Sequence, residues 1–271
     1  MGFIDGQSAI VTGAAQGLGA AFAEALAAEG ATVTLCDVKP SVETVAAGIK
    51  ERGGSAQALI ADVSEREQVE TVVAAAVEAG GGLDLLVNNA GKWTQSLVTD
   101  EWEKALADWD LIMDTNLKGA LMFGRACVPH LIARGGGNIV NISTYYVLPA
   151  RSGGTNPPGT DLYAASKWAL NGFTQSWSQV LAEHRIRVNA LCMGATDTAM
   201  LRGLFPGDPP ADFAATWMKP EQIAGQLLDI LREGPDGRTG ENIGAWVGYP
   251  VELGPRKPPH ETITGSPPPE A

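Results

Sequence analysis

A tyrosine and a lysine four residues apart, Tyr163 and Lys167, open a long segment with helical character. Residues with this spacing lie on one helix face, so the phenol and the ammonium can act on one point. A free phenol titrates near pH ~10, and a neighbouring cation favours the phenolate and lowers that pKa. The pair therefore indicates a proton-transfer group. Taken alone, the same spacing is more often a packed tyrosine beside a solvated lysine, so its interpretation depends on the rest of the chain.

A glycine-rich turn near the N-terminus is the second chemical signal. The apolar run at residues 8–12 stops at Gly13-x-x-x-Gly17-x-Gly19, and residues 20–28 are rich in helix formers. This order predicts a strand, a tight turn and a helix. Glycines let a ligand approach the backbone closely, and the N–H groups at a helix start attract phosphate. The turn favours a dinucleotide site, although a glycine-rich turn can be only a turn.

An acidic residue, Asp37, ends the next apolar run at residues 31–36. A carboxylate at this place can accept hydrogen bonds from an adenosine ribose and would repel a 2′-phosphate, which favours NAD over NADP. The alternative is an aspartate that caps the following segment.

Strand-like and helix-like segments alternate along the chain, which predicts one α/β domain with a Rossmann-type, doubly wound parallel sheet flanked by helices on both faces. The apolar strands end at Asp62-Val63, at Asn88-Asn89-Ala90-Gly91 and at Ser143. Ligands of such sheets bind beyond the carboxyl ends of the strands, so these residues should meet at one edge. Asn116, a polar residue among apolar neighbours in a helix, needs a hydrogen-bonding reason to be there.

Together these motifs, standing in order on the expected elements, resemble the short-chain dehydrogenase/reductase family over roughly residues 5–247. The resemblance implies that the pyrophosphate of NAD is held by Gly13, Gln16, Gly17, Leu18 and Gly19. It places Asp37 and the adjoining Val38 at the adenosine ribose, Asp62 and Val63 at the adenine, and Asn89, Ala90 and Gly91 along the cofactor. It further implies contacts from Tyr163, Lys167, Thr196 and Thr198 at the nicotinamide end.

The same resemblance implies four catalytic residues. Tyr163 would exchange the proton of a substrate hydroxyl while a hydride passes to or from the nicotinamide, and Lys167 would lower the Tyr163 pKa. Ser143 would hydrogen-bond the substrate oxygen, and Asn116 would hold water in a proton relay. The substrate itself would be bound by Ser143, Tyr145 and Tyr163.

The chain departs from the family pattern in three places. Met193-Gly194 stands where the family usually has Pro-Gly, and Thr196 stands where it has Val or Ile. The segment between Ser143 and Tyr163 is longer than usual, which predicts an unusual pocket rim. We therefore expect one domain at residues 1–247, with a mobile flap near residues 199–218, followed by a proline-rich tail at residues 248–271.

Composition excludes several classes of function. The chain of 271 residues has 31 acidic against 19 basic residues and a net charge of −12, which disfavours nucleic acid and anionic membranes as partners. No apolar run approaches the length of a membrane span, so we expect a cytoplasmic protein. Cys36, Cys127 and Cys192 suit reduced, buried thiols, and the three scattered histidines predict no metal site.

The sequence predicts a bulky aromatic or alicyclic secondary alcohol and its ketone as substrates. Apolar residues follow the strand ends or lie in the flap and could line a pocket, or could equally be packing: Trp93, Tyr145, Tyr146, Leu148, Met193, Phe205 and Trp217. The family pairs the helices that start near Trp109 and Tyr163 between subunits, which implies a homotetramer. Two alternatives are open: a catalytically silent dinucleotide-binding scaffold on the same fold, and a lyase or dehalogenase that needs no nicotinamide.

Overall fold

A single parallel sheet forms the centre of the molecule in the computed structural model, which describes residues 2–148 and 156–256. Its seven strands lie in the order β3-β2-β1-β4-β5-β6-β7, and every neighbouring pair is parallel. The strands are β1 (Ser8–Thr12), β2 (Thr32–Asp37), β3 (Ser55–Ile60), β4 (Leu85–Asn88), β5 (Gly137–Thr144), β6 (Ile186–Met193) and β7 (Asn242–Ala245).

Helices cover both faces of this sheet, because parallel strands need crossover connections and both faces of the strands are apolar. The helices are α1 (Gly17–Ala28), α2 (Val42–Glu51), α3 (Arg66–Gly80), α4 (Trp102–Met113), α5 (Gly119–Arg134), α6 (Asp161–Val180), α7 (Ala199–Arg202), α8 (Ala211–Ala214) and α9 (Pro220–Arg232). The predicted α/β, doubly wound Rossmann-type fold is confirmed.

Two hydrophobic cores hold the layers together. On one face α1, α2 and α9 pack on the sheet, with Phe22 and Leu227 fully buried. On the other face α3 and α5 pack on the sheet, with Phe123 and Leu131 fully buried. Side chains of the central strands β1, β4 and β6 are buried at every position, because successive residues of such a strand point alternately into the two cores.

The strand order reverses between β1 and β4, which connect to opposite sides of the sheet. At such a reversal the loops at the carboxyl ends diverge and leave a crevice, which is where ligands of open α/β sheets bind. The fold therefore directs attention to the loops after β1, β2, β4 and β5.

Three segments differ in detail from the sequence-based expectations. Asn116 lies in a short π-helical segment, Asp114–Lys118, between α4 and α5, and not within a regular helix. The expected flap contains two short helices, α7 and α8. The beginning of the tail is docked on the domain, since Val251 and Leu253 pack against the first core. The expectations for residues 149–155 and 257–271 lie outside the described residues.

Cys36, Cys127 and Cys192 are buried, as expected. Burial raises the pKa of the Cys36 thiol to about 12 and also raises that of Cys127. Within the described ranges, no cluster of three or more metal-ligating side chains is found, and no helix has the length and apolarity that a bilayer crossing requires.

Candidate active site

A cavity of about 630 Å³ lies at the carboxyl ends of the strands, where the fold predicts a ligand. Most of the residues singled out from the sequence line it. They are Gly13, Gln16, Gly17, Leu18, Gly19, Asp37, Val38, Asp62, Val63, Asn89, Ala90, Gly91, Ser143, Tyr163, Lys167 and Thr198.

The glycine turn forms the floor of the cavity because it packs directly on the loop after β4. Gly13 has φ +66°, and a Cβ on it would lie 2.7 Å from the Ala90 Cα, so any other residue would be both strained and obstructed. A Cβ on Gly19 would overlap the Gly13 carbonyl oxygen. Asn89 fixes this contact, since its Nδ2 donates to the carbonyl oxygens of Thr12 at 2.8 Å and Gly13 at 3.0 Å.

The start of α1 faces the cavity without a capping side chain. The residue before the helix, Gln16, makes no capping bond, and its Oε1 accepts a hydrogen bond from Lys39 Nζ at 3.1 Å. The first N–H groups of a helix carry partial positive charge and lack partners within the helix. This end of α1 therefore suits an anionic group such as a pyrophosphate.

Asp37 closes the same end of the cavity. One of its carboxylate oxygens accepts from the Ala15 N–H and the other from the Lys39 N–H, each at 3.0 Å. The two bonds fix the position of the carboxylate beside the glycine turn.

Asp62 stays anionic beside this region. Burial raises the pKa of its carboxyl, but the hydrogen bonds from Ser64 and the charges of Lys92 and Lys118 outweigh burial and leave the pKa below its usual value. The Ser64 hydroxyl donates to Asp62 Oδ1 at 2.7 Å and the Ser64 N–H donates to it at 2.8 Å.

Tyr163 and Lys167 stand one turn apart on α6, with the ammonium 5.7 Å from the centre of the phenol ring. Lys167 is buried and donates to the Ile142 carbonyl oxygen at 2.8 Å. Burial lowers the pKa of Lys167 to about 8, although the nearby Cys192 acts in the opposite direction.

The phenol does not follow the expectation that Lys167 lowers its pKa. Burial is the largest influence and raises the Tyr163 pKa, and the neighbouring Tyr146 phenol raises it further. The Lys167 ammonium donates to the Ile142 carbonyl oxygen and lies 5.7 Å from the centre of the phenol ring. In this arrangement Tyr163 holds its proton at neutral pH.

Ser143 lies one residue before the end of β5, next to this pair, and is buried. Its Oγ donates to Asn171 Oδ1 at 3.1 Å, a partner that the sequence analysis did not identify. The signal was present, because Asn171 continues the spacing of Tyr163 and Lys167 by one more turn of α6.

Asn116 has a hydrogen-bonding reason for its burial, but its side chain is occupied by protein groups. Its Oδ1 accepts from the Lys92 N–H at 2.7 Å, and its Nδ2 donates to the Lys92 carbonyl at 3.0 Å and to Ser166 Oγ at 3.1 Å. The side chain thus ties the loop after β4 to α6.

Three of the residues assigned from the sequence, Asn116, Tyr145 and Thr196, lie outside the set of described residues that line the cavity. The Tyr145 ring packs against Tyr146 and Trp246, with ring centres 4.6 Å and 5.7 Å apart. Thr196 is buried and donates to the Gly194 carbonyl at 3.1 Å.

The apolar side of the cavity is formed only in part by the residues expected there. Trp93 and Met193 line it, whereas Phe205 and Trp217 pack on each other and on Phe213 in the flap. Further lining residues were not singled out from the sequence, among them Lys92, Thr94, Leu111, Thr115, Met200 and Leu204. For Leu111 of α4 and for Met200 and Leu204 of the flap the spacing carries no signal, because these segments approach the cavity only through tertiary packing.

These features fit a nicotinamide dinucleotide. The cavity has the size of a cofactor site, the glycine turn leaves room where any side chain would obstruct, and an open helix start faces it. The glycine turn and Asp37 would hold the adenosine and pyrophosphate end, and Tyr163 and Lys167 would hold the other end. When bound there, such a group would accept or supply a hydride.

Comparison with known proteins gives a consistent result. The model of the short chain dehydrogenase family matches residues 7–208. A 3-oxoacyl-acyl-carrier-protein reductase from Thermotoga maritima is 32% identical over 89% of this chain and 96% of its own length. A cis-4-hydroxycyclohexanecarboxylate dehydrogenase from Sinomonas cyclohexanicum is 34% identical over 89% of this chain and 95% of its own length.

Solved structures of short-chain dehydrogenases are also similar to this chain. A short-chain dehydrogenase from Burkholderia cenocepacia in complex with NADP is 32% identical, with a TM-score of 0.76 over 90% of this chain and 97% of that chain. A putative short-chain alcohol dehydrogenase from Sinorhizobium meliloti is 33% identical, with a TM-score of 0.79 over 90% of this chain and 96% of that chain.

Proposed function

Because the chain belongs to the short-chain dehydrogenase family of oxidoreductases, we propose that it interconverts a bulky aromatic or alicyclic secondary alcohol and its ketone, with NAD as the cofactor. The observation that carries this proposal is one cavity with two chemically distinct ends. The glycine turn and Asp37 lie at one end, and Ser143, Tyr163 and Lys167 lie at the other.

In the proposed chemistry, Tyr163 exchanges a proton with the substrate oxygen. During reduction the Tyr163 hydroxyl donates its proton to the substrate oxygen, and during oxidation the phenolate accepts it back. Lys167 carries the positive charge that limits the cost of a phenolate in a buried site. Ser143 donates a hydrogen bond to the substrate oxygen as negative charge develops there.

The remaining site residues are assigned roles according to where they lie around the cavity. Gly13, Gln16, Gly17, Leu18 and Gly19 would bind the pyrophosphate, Val38 would flank the ribose, and Asp62 and Val63 the adenine. Asn116 would act by fixing the loop after β4. Thr198 lines the cavity and its hydroxyl accepts from the Leu201 N–H at 3.3 Å, so it would order the flap near the nicotinamide. Tyr145 and Thr196 lie outside the cavity lining, so they would support the residues that line it and would not contact the ligands directly.

Asp37 supports the choice of NAD. A 2′-phosphate would bring a second anion against a carboxylate that two backbone N–H groups hold in place. The Burkholderia relative is described with NADP, so the preference of this chain requires its own measurement.

The cavity wall supports an apolar substrate. Trp93, Leu111, Met193, Met200 and Leu204 contribute apolar surface, and no arginine lies among the described residues that line the cavity. Arginine is the residue best suited to bind a phosphoryl group bidentately, so its absence from the described lining favours a substrate without a phosphate. The relative from Sinomonas is named for an alicyclic hydroxy acid, which is consistent with this substrate class.

A panel of purified alcohols with NAD tests the proposal. Cyclic and aryl secondary alcohols should reduce NAD faster than small polyols, sugars or acyl thioesters of the corresponding hydroxy acids. Preferential turnover of the polar compounds would contradict the proposed substrate class. Binding of NADH without turnover of any compound would favour the catalytically silent alternative.

A further inference from the structure

Asn171 lies on the face of α6 that carries the proposed proton-transfer group. It follows Lys167 by four residues and Tyr163 by eight, so the three side chains stand one above the other along the helix. Its side chain is buried, with 5% of the residue exposed. An amide in this position costs free energy unless it is hydrogen-bonded, and its partner is therefore informative.

That partner is the hydroxyl that faces the substrate end of the cavity. Ser143 Oγ donates to Asn171 Oδ1 at 3.1 Å, and only 3% of Ser143 is exposed. The next polar residue along this helix face, Thr174, belongs to a separate set of bonds. Its hydroxyl accepts from Asn141 Nδ2 at 2.9 Å and donates to the Leu170 carbonyl at 3.1 Å.

We propose that Asn171 is a positioning residue that sets whether the Ser143 hydroxyl donates to the substrate oxygen. This inference rests on the proposed function. A serine hydroxyl has one hydrogen, and in this structure that hydrogen is given to Asn171, so only the lone pairs of Ser143 are left for a ligand. Stabilising negative charge on a substrate oxygen requires the opposite arrangement, with the hydrogen directed at the substrate.

An asparagine can support both arrangements because its amide has an acceptor end and a donor end. If the amide turns, Nδ2 donates to Ser143 Oγ, and the hydroxyl hydrogen is released toward the cavity. A hydroxyl that also accepts a hydrogen bond is a stronger donor, since hydrogen bonds in a chain polarise one another. Neither a leucine nor an ionised aspartate of similar volume can do this.

The test compares the variants Asn171→Leu and Asn171→Asp with wild type and with Thr174→Val as a control for a buried polar change on the same helix face. We expect kcat to fall roughly tenfold in Asn171→Leu, which leaves Ser143 unsupported. We expect a further fall of roughly tenfold in Asn171→Asp, because an ionised carboxylate only accepts and retains the Ser143 hydrogen. The affinity of all three variants for NADH should stay within about twofold of the wild-type value. The kcat of Thr174→Val should also stay within about twofold of wild type.

The same substitutions in a Ser143→Ala background separate positioning from a purely structural role. A residue that acts through Ser143 has nothing left to position there, so Asn171→Leu and Asn171→Asp should then cost less than about twofold. Losses of equal size in both backgrounds would overturn the inference, as would unchanged kcat in the single variants. If Asn171→Asp does not fold, Asn171→Leu and its double variant decide alone. A wild-type protein and a Thr174→Val variant that both bind no dinucleotide and turn over no alcohol would instead overturn the proposed function, and this inference with it.

Discussion

Burial governs the two titrating groups of the proposed active site more strongly than their mutual attraction does. It lowers the pKa of Lys167 to about 8 and raises that of Tyr163. The phenol therefore keeps its proton at neutral pH and is prepared to donate it to a ketone. Oxidation needs the phenolate, so the rate of alcohol oxidation should increase as the pH rises from neutral.

Removing the Tyr163 hydroxyl tests whether this group exchanges a proton with the substrate oxygen. The variant Tyr163→Phe keeps the ring and should lose roughly three orders of magnitude in kcat, which is the usual scale of general acid–base catalysis. Its affinity for NADH should be close to that of wild type, because most of the cavity lining is unchanged. Steady-state kinetics and fluorescence titration measure the two quantities. A Tyr163→Phe variant with near-normal kcat would exclude the proposed proton transfer.

The sequence was sufficient for site residues that occur in a fixed local pattern. Gly13 and Asp37 were predicted because they stand where an apolar run stops, and Tyr163 and Lys167 because they are four residues apart on a helix. Thr115 and Leu204 were missed, since only the packing of the π-helical segment and the flap brings them to the cavity. The Tyr163 pKa was predicted in the wrong direction because burial cannot be judged from spacing.

A buried ionic cluster joins β6 to the segment that follows α9, since Arg187 of β6 lies 3.8 Å from Glu233 and Glu233 pairs with Arg238. Glu233, at the end of α9, accepts from the Arg238 side chain at 2.8 Å and from its N–H at 2.8 Å, and Arg238 is 4% exposed at its side chain. Burial raises the pKa of the Glu233 carboxyl, but these bonds and the charges of Arg238 and Arg256 outweigh it and lower the pKa to about 2. The lowered pKa means that ionised Glu233 stabilises the folded state.

The stabilisation by Glu233 should depend on pH in a defined direction. It is fully present above the ordinary glutamate pKa of 4.5 and is lost as the pH falls toward about 2. We expect Glu233→Gln to lower the free energy of unfolding by roughly 3 kcal/mol near neutral pH, and by progressively less below about pH 4.5.

The exposed pair of Glu29 and Arg232 provides a matched control for that measurement. Its atoms are 3.0 Å apart, but the side chains are 27% and 47% exposed, so Glu29→Gln should cost less than about 1 kcal/mol. Denaturant unfolding at several pH values measures both variants. A Glu233→Gln deficit that stays constant as the pH is lowered would contradict the account.

Helices and strands were predicted best where the hydrophobic periodicity and the glycine or proline breaks indicate the same boundaries. The alternating apolar runs predicted the parallel sheet, because each strand of such a sheet is buried on both faces. The π-helical segment Asp114–Lys118 and the short helices α7 and α8 were not predicted. Their geometry depends on hydrogen bonds such as that between Asn116 and Lys92, which join elements distant in the sequence.

At the scale of the whole molecule, an apolar surface on α4 and α6 has the character of a subunit interface. Trp102, Leu106 and Trp109 share one face of α4 and are 78%, 58% and 51% exposed, and Trp168 on α6 is 45% exposed. Exposed large aromatic side chains are enriched at protein interfaces. We propose that copies of the chain pair through this surface in a homotetramer.

Placing a charge in this surface tests the assembly. Trp109→Glu would bury an unpaired carboxylate in the proposed interface, so light scattering should show a smaller species than for wild type at the same micromolar concentration. Ile60→Glu, on the edge strand β3, is the control and should leave the assembly unchanged, since Ile60 is 52% exposed on another part of the molecule. A monomeric wild-type protein would contradict the proposed tetramer.

The most direct test of a NAD-dependent oxidoreductase is a parallel titration with NADH and NADPH, followed by quenching of tryptophan fluorescence. Wild type should bind NADH at least about tenfold more tightly, because the Asp37 carboxylate repels a 2′-phosphate. Asp37→Asn keeps the side-chain size and removes the charge, so this preference should largely disappear. Equal affinities in wild type, or no binding of either nucleotide, would contradict the account.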